Sequence, residues 1–160
     1  MSKNYVNNIV IENADIMFKN FSGRETQCNR EGNRNFCVVI DDPDQAQALA
    51  EDGWNIRFLA PREEGERPIH YLQVAVRFDV FPPNVYKVTK KNKVLLDEES
   101  INCLDKAELR NVDLVIRPRQ WDVGGKTGIK AYLKTGYFVL EEDEFADKYA
   151  NLDFPEDEPF

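Results

Sequence analysis

Alternation of apolar and polar residues runs through most of this chain and predicts a mainly β protein. It is clearest over residues 69–81, where the even-numbered positions from Leu72 to Val80 are apolar and share one face. β-Branched or aromatic residues mark further strands. These are predicted over residues 6–18, 36–40, 54–59, 85–89, 112–117 and 129–140.

Two segments have helical rather than alternating patterns. Asp42 is a typical N-cap residue, Pro43 suits the first helical position and Gly53 a helix end, so residues 43–52 are predicted to be helical. A short apolar stripe predicts a second helix over residues 97–110. The order of elements favours an OB-fold-like five-stranded Greek-key barrel with one or two helices, elaborated by the first helix and by a charged loop at residues 61–68.

Composition places the chain among ordinary globular proteins. It has 160 residues, of which 42% are hydrophobic and 31% charged, and this predicts one folded domain. No stretch approaches the roughly 20 apolar residues of a membrane span, and residues 1–5 lack an apolar signal core. Cys28, Cys37 and Cys103 have no metal-ligand spacing and are expected to be reduced thiols. A cytoplasmic protein is therefore expected.

Charge is distributed unevenly, and this changes the meaning of the net charge of −8. Residues 141–160 hold nine acids and one base, which accounts for the whole excess. Within the neutral remainder, residues 71–140 carry 12 bases and 8 acids, a net charge of +4. The second half of the body is thus the candidate for binding a polyanion, and the acidic tail could compete for the same surface.

The tail itself carries a motif. Its last eight residues are Asp153-Phe-Pro-Glu-Asp-Glu-Pro-Phe160, an acidic run that closes on Pro-Phe. Such a segment has too little apolar surface to fold alone, yet its two phenylalanines suit a pocket with a basic mouth. An ordinary solubilising tail is the alternative interpretation. We therefore divide the chain into a domain at residues 1–144 and a flexible acidic tail at residues 145–160.

This motif resembles the acidic C-terminal tip of single-stranded DNA-binding proteins. Glu replaces some of the expected Asp, and no long Gly/Gln/Pro-rich linker precedes the tip, so the resemblance is to the phage type. It implies a protein of the host-cell cytoplasm that protects single-stranded DNA and recruits replication, recombination or repair proteins. It also implies a tail that folds onto the DNA groove when DNA is absent. The predicted partner-binding residues are Asp153, Phe154, Glu156, Asp157, Glu158, Pro159 and Phe160.

Bases interleaved with aromatic residues are the candidates for DNA contacts, since cations follow the phosphates and exposed rings stack on bases. The last strand offers Lys130, Tyr132 and Lys134 on one face. Arg117, Arg119 and Trp121 share a face if the extended chain continues past Pro118. The other candidates are Lys19, Phe21, Arg24, Arg30, Arg34, Arg77, Phe81, Tyr86, Lys87, Lys90, Lys91, Lys93 and Lys126.

Several of these candidates also have a purely structural interpretation. Tyr132 could merely cover a sheet edge, and Trp121 could belong to the core, because tryptophan is highly buried on average. The lysines at positions 87–93 could form an ordinary exposed turn. Residues 124–128 are not a phosphate-binding P-loop, because its spacing is absent and a strand follows.

Catalysis has little support in the sequence. The single His70 has no nucleophile or metal partner nearby in the chain, and no cofactor or metal is expected. The leading hypothesis is a non-enzymatic, largely sequence-independent single-stranded DNA-binding protein, and homo-oligomerisation is left open. The alternative is a phage-encoded acidic inhibitor or DNA mimic that binds a host factor, which would not need the positively charged half.

Overall fold

A computed structural model describes residues 6–79, 81–142 and 145. Residues 146–160, which include the whole tip motif, lie outside the described residues, as does Val80. The described chain is mainly β with one α-helix, as predicted. Its strands are β1 (Ile9–Ile11), β2 (Ile16–Asn20), β3 (Arg34–Ile40), β4 (Ile56–Leu59), β5 (Ile69–Val76), β6 (Asn84–Val88), β7 (Lys93–Leu96), β8 (Leu109–Val123) and β9 (Lys126–Leu140).

The helix α1 (Pro43–Asp52) has the predicted ends. The Asp42 side chain accepts a hydrogen bond from the backbone N–H of Asp44 at 2.9 Å, which satisfies one of the free donors of the first turn. Gly53 closes the helix with φ 110°, a left-handed conformation that glycine adopts without steric cost.

The predicted helix over residues 97–110 is wrong. Only a short 3-10 helix (Ile101–Asp105) forms there, and β8 already begins at Leu109. Its apolar residues Ile101 and Leu104 are fully buried, so the stripe marks a single packed turn rather than a long helix.

The strands form one sheet of nine, not the predicted five. Its main path is β1-β8-β9-β5-β3-β2, with β4 paired to β5 and the β6–β7 hairpin paired to β9. The pairings of β9 with β5 and with β6 are parallel, and the other strand pairs are antiparallel. Beyond the five strands of the predicted barrel, the sheet contains β4, which forms a hairpin with β5, and the β6–β7 hairpin. The first predicted strand is also divided into β1 and β2.

That first strand was predicted to run unbroken over residues 6–18. Asn13 instead adopts φ 51° between β1 and β2, which breaks the extended conformation. The Asn13 N–H donates to Asp113 Oδ1 at 2.9 Å, and the Ala14 N–H to the Val112 carbonyl at 2.7 Å. The chain thereby changes partner across the four residues 12–15: β1 pairs with β8, whereas β2 pairs with β3.

β8 and β9 form the longest pair, and each has 15 residues. They continue well beyond the predicted strands and are joined by a turn at Gly124-Gly125. β8 passes straight through Pro118, which pairs with Ala131. Proline lacks an N–H donor and is tolerated where a strand has no partner on one side. Among the described residues, β1 pairs with β8 only at residues 114–116 and does not reach Pro118.

The core lies on one side of these strands. Phe21, Phe36 and Phe138 are fully buried and touch one another, with ring centroids 5.4 to 6.3 Å apart. On β5 the buried positions are Leu72, Val74 and Val76, which confirms the predicted alternation within that strand.

Asp105 fastens the end of β2 to the 3-10 helix. Its carboxylate accepts hydrogen bonds from the N–H of Phe21 at 2.6 Å, from the N–H of Ser22 at 2.9 Å and from the Ser22 hydroxyl. Lys19 Nζ strengthens the same junction by donating to the carbonyls of Leu104 and Ala107, both at 2.9 Å.

We predict that Asp105→Ala lowers the free energy of unfolding by about 1–3 kcal/mol, because partly buried N–H donors lose a charged acceptor. Urea denaturation followed by circular dichroism measures this. Asp41→Ala removes an exposed carboxylate and should change stability by less than about 0.5 kcal/mol. Equal midpoints for the two variants would contradict the role given to Asp105.

Candidate nucleic-acid interface

The side of the sheet opposite the core carries a row of polar and aromatic residues across β3, β5, β9 and β8. Paired residues on neighbouring strands lie on the same face. Ala75 of β5 pairs with Tyr132 of β9, and Tyr132 pairs with Arg117 of β8. One step along, Arg119 pairs with Lys130. The pairing thus brings together residues that are far apart in sequence.

A groove of about 780 Å³ lies over this face. Its lining includes residues 28, 29 and 32–35 and, from the long hairpin, Trp121 and residues 127–131. Gln73, Ala75 and Val76 of β5 also line it, as do residues 77–79, which follow that strand. The groove therefore joins the end of the long hairpin to the polar loop before β3.

Arg117 lies between two aromatic rings. Its guanidinium carbon is 4.6 Å from the Phe81 ring centroid and 5.9 Å from that of Tyr132. Lys130 Nζ lies 5.4 Å from the same Tyr132 centroid. Cations over ring faces attract the π electrons, so the tyrosine holds two positive charges close together beside the groove. Phe81 is 71% exposed and so presents ring surface to solvent.

Tyr132 itself is only 6% exposed. The expectation that its ring stacks on bases is therefore corrected, because Arg117 and Lys130 lie over it. Lys130 and Lys134 are exposed as expected. The alternating Lys-Tyr-Lys pattern thus marks a tyrosine that supports cations.

Trp121 is exposed, in contrast to the alternative that assigned it to the core. It lies on β8 opposite Gly128 and has 43% of its surface accessible. A Cβ atom at residue 128 would come within 2.6 Å of the Trp121 indole atom Cζ2. The glycine thus allows the indole to lie against the backbone of β9 at the groove. Trp54, the other tryptophan, is buried.

Two arginines at the groove are paired with carboxylates. Arg77 Nη2 lies 2.5 Å from Asp79 Oδ2, and Arg77 Nε donates to Asp79 Oδ1 at 3.0 Å. This hydrogen bonding raises the pKa of Arg77 above its ordinary value. Arg34 Nη1 lies 3.3 Å from Glu98 Oε1. Both guanidinium groups are thus next to acceptors at positions where an external anion could compete.

A second aromatic and basic cluster lies on the β6–β7 hairpin and β9. The rings of Tyr86 and Tyr137 stack with centroids 4.8 Å apart and planes at 16°. Lys93 Nζ lies 5.0 Å from the Tyr86 centroid. Lys90 and Lys91 are exposed in the adjoining turn, while Lys87 is half-buried.

The structure does not place every predicted residue at the groove. Phe21 is fully buried in the core, so its predicted stacking role is wrong. Lys19 donates to two backbone carbonyls and therefore has a structural partner. Arg24 and Arg30 are exposed in the loop that ends in the groove lining, and Lys126 is exposed at the start of β9.

Sequence reasoning missed two aromatic residues on the outward face. Phe18 is 58% exposed, and its ring meets that of Tyr71 edge to face with centroids 6.1 Å apart. Tyr71 shares its face with Gln73, so the alternation of β5 already contained the signal for it. Phe18 has φ 54°, at a register shift in the β2–β3 pairing, and no period in the sequence reports such a shift.

The described part of the chain offers no candidate site for metal binding or thiol chemistry. No cluster of three or more His, Cys, Asp or Glu residues that could hold a metal occurs among the described residues. Burial raises the pKa of the Cys37 thiol to about 11, so this thiol stays protonated at neutral pH. Cys28 and Cys103 are exposed free thiols. No helix in the described ranges has the length and apolar character of a membrane span.

Comparison with known proteins assigns a family to this arrangement. The family model described as "Putative phage ssDNA-binding domain" matches residues 1–159. Comparison with curated proteins gives no match. Among solved structures, the chain is similar to the single-stranded DNA-binding protein of bacteriophage Enc34 in complex with ssDNA, with a TM-score of 0.54 and 12% identity over 90% of this chain and 96% of that one.

A second structure of the Enc34 protein has a TM-score of 0.52 and 10% identity, over 95% of this chain and 94% of that one. At such identities the likeness shows a shared fold. The family model, in contrast, spans nearly the whole sequence. The chain belongs to the phage ssDNA-binding domain family.

Proposed function

We propose that this protein binds single-stranded DNA in the groove, with little preference for sequence. The observation that carries the proposal is the Arg117 guanidinium held between Phe81 and Tyr132, on the same face as the exposed Trp121. This combines charge for phosphates with ring surface for bases, which is what sequence-independent binding of a single strand requires. Membership of the family, and the similar fold of the Enc34 protein solved in complex with ssDNA, support it.

The fold fits this role as an elaborated OB barrel. β1 and β2 stand at opposite ends of the main strand path, yet only residues 12–15 separate them. If the two are counted as one bent strand, the path becomes a ring of five strands, with β5 and β9 parallel and the 3-10 helix before β8. This order matches the partly open Greek-key barrel that binds oligonucleotides. β4 and the β6–β7 hairpin are then additions.

Roles can be assigned to residues that line the groove and to others on the face beside it. Arg34, Arg77, Arg117, Arg119, Lys126, Lys130 and Lys134 supply charge to phosphates, while Phe81 and Trp121 stack on bases. Every base offers a π face, so stacking gives affinity without a sequence code. No catalytic step is assigned to any residue.

The acidic tail, residues 145–160, supplies the protein-binding part of the proposal. Its tip residues 153–160 recruit replication, recombination or repair proteins in the cytoplasm of the infected cell. Five of the nine acids of residues 141–160 lie in this tail, and they also compete with DNA for the basic face. Self-association is compatible with this arrangement, and the groove needs no second copy.

We predict that Trp121→Ala and Phe81→Ala each weaken binding of fluorescent oligo-dT by about 5- to 150-fold, the range of one lost base stack. Fluorescence anisotropy at two salt concentrations measures this, with duplex of equal length as the competitor. Phe58→Ala is the matched control, because Phe58 is 66% exposed, lies on β4 outside the groove lining and has its ring near His70 rather than Arg117.

Preferential, salt-sensitive binding of the single strand would support the proposal. A wild-type protein that binds neither strand form would refute it and favour the acidic inhibitor. Equal losses for Phe58→Ala and Trp121→Ala would show that binding does not centre on the groove.

Asp79→Asn should strengthen binding of oligo-dT by about two- to fivefold at low salt, as expected for release of Arg77 from an exposed ion pair. The gain should shrink as salt is added. Asp41→Asn changes the net charge equally at the other end of β3 and should have a smaller effect. Identical gains for both variants would mean that only net charge matters.

Deletion of residues 145–160 should strengthen DNA binding at low salt and leave it unchanged at high salt, because charge competition is screened. The same deletion should abolish capture of replication or recombination proteins. Anisotropy titrations of the full and shortened chains measure the first effect. Unchanged affinity at low salt would rule out competition by the tail.

A further inference from the structure

The stacked pair of Tyr86 and Tyr137 is a second aromatic surface, separate from the groove. Tyr137 is 37% exposed and its neighbours on β9, Gly136 and Phe138, are buried. Its ring therefore points away from the core, and Tyr86 pairs with it across the parallel β6–β9 ladder. Neither ring belongs to the core cluster, so the stacked pair lies on the outside of the sheet.

Positive charge surrounds this aromatic pair. Lys93 lies over Tyr86, and Lys90 and Lys91 lie in the turn between β6 and β7. Two acids also approach: Asp113 pairs with Tyr137, and Glu142 accepts a hydrogen bond from the Lys90 N–H at 3.0 Å. The Asp113 carboxylate is itself occupied by the Asn13 N–H.

β9 connects this surface to the groove. Ala131, Leu133 and Phe138 are buried in the core, so Tyr132 and Tyr137 both face away from it. The β8–β9 register passes from Ile116↔Leu133 to Val115↔Thr135, which leaves Lys134 without a partner on β8. Because the bulge adds one residue to β9, Tyr132 and Tyr137 face the same side although five positions separate them. Tyr137 then follows Tyr132 by about 16 Å along the strand.

We propose that single-stranded DNA leaving the groove continues along the outer face of β9 and stacks bases on the Tyr86–Tyr137 pair. Lys134 and Lys93 contact the phosphates between and beside the two sites. The inference rests on the proposed function and extends it. One protein molecule contacts two segments of the same strand, and the β6–β7 hairpin has a binding role.

Length dependence tests the proposal. Anisotropy titrations use oligo-dT from about 4 to 20 nucleotides, a span that brackets the sites of single OB folds. The variant is Tyr86→Leu with Tyr137→Leu, and its control is Tyr86→Phe with Tyr137→Phe, which keeps both rings. We expect the leucine variant to bind long oligonucleotides about 5- to 150-fold more weakly than wild type and the shortest ones equally well.

Other outcomes overturn the proposal. Equal weakening at every length would mean that the pair belongs to the groove or supports the fold, and no weakening would mean that DNA does not reach it. If the leucine variant does not fold, Lys93→Ala keeps the rings and removes the lysine that lies over Tyr86. It should reduce the salt dependence for long oligonucleotides only. Absence of any binding by wild type would instead refute the proposed function.

Discussion

The groove and the Tyr86–Tyr137 pair both depend on the strand pairing that fixes β9. This strand pairs with β8 along its whole length, with β5 in its first half and with β6 in its second half. Backbone hydrogen bonds of a central strand fix its side chains by their alternation, so one face enters the core and the other faces outward. Arg117 of β8, Ala75 of β5 and Tyr86 of β6 are each positioned by pairing with this strand. The groove and the tyrosine pair are thus two parts of one continuous face.

The outward face also shows how charge is kept near aromatic groups. Arg117, Lys130 and Lys93 each lie over a ring, Arg77 holds a carboxylate, and Arg34 does both, with Phe78 and Glu98. A cation over an aromatic ring keeps its full charge available to an anion, because the ring carries no net charge to neutralise it. A cation on a carboxylate must first exchange partners. The two kinds of arginine therefore differ in the cost of accepting a phosphate.

The sequence allowed prediction of the features that local patterns determine. Alternation identified β5 and its buried face, and the signals at Asp42, Pro43 and Gly53 located α1. The shared face of Arg117, Arg119 and Trp121 follows from period two once β8 continues past Pro118. What failed depends on contacts distant in sequence. The break at Asn13, the burial of Phe21 and the cations over Tyr132 arise from pairing and packing that no local period contains.

Within the described chain, three residues other than glycine have positive φ: Asn13, Phe18 and Phe81. A bulky side chain in this conformation costs of order 1–3 kcal/mol, and both phenylalanines nevertheless leave most of their ring in solvent. Glycine at either position would relieve the backbone and remove the ring. Selection for heat resistance alone should therefore replace these phenylalanines early, at the expense of exposed aromatic surface.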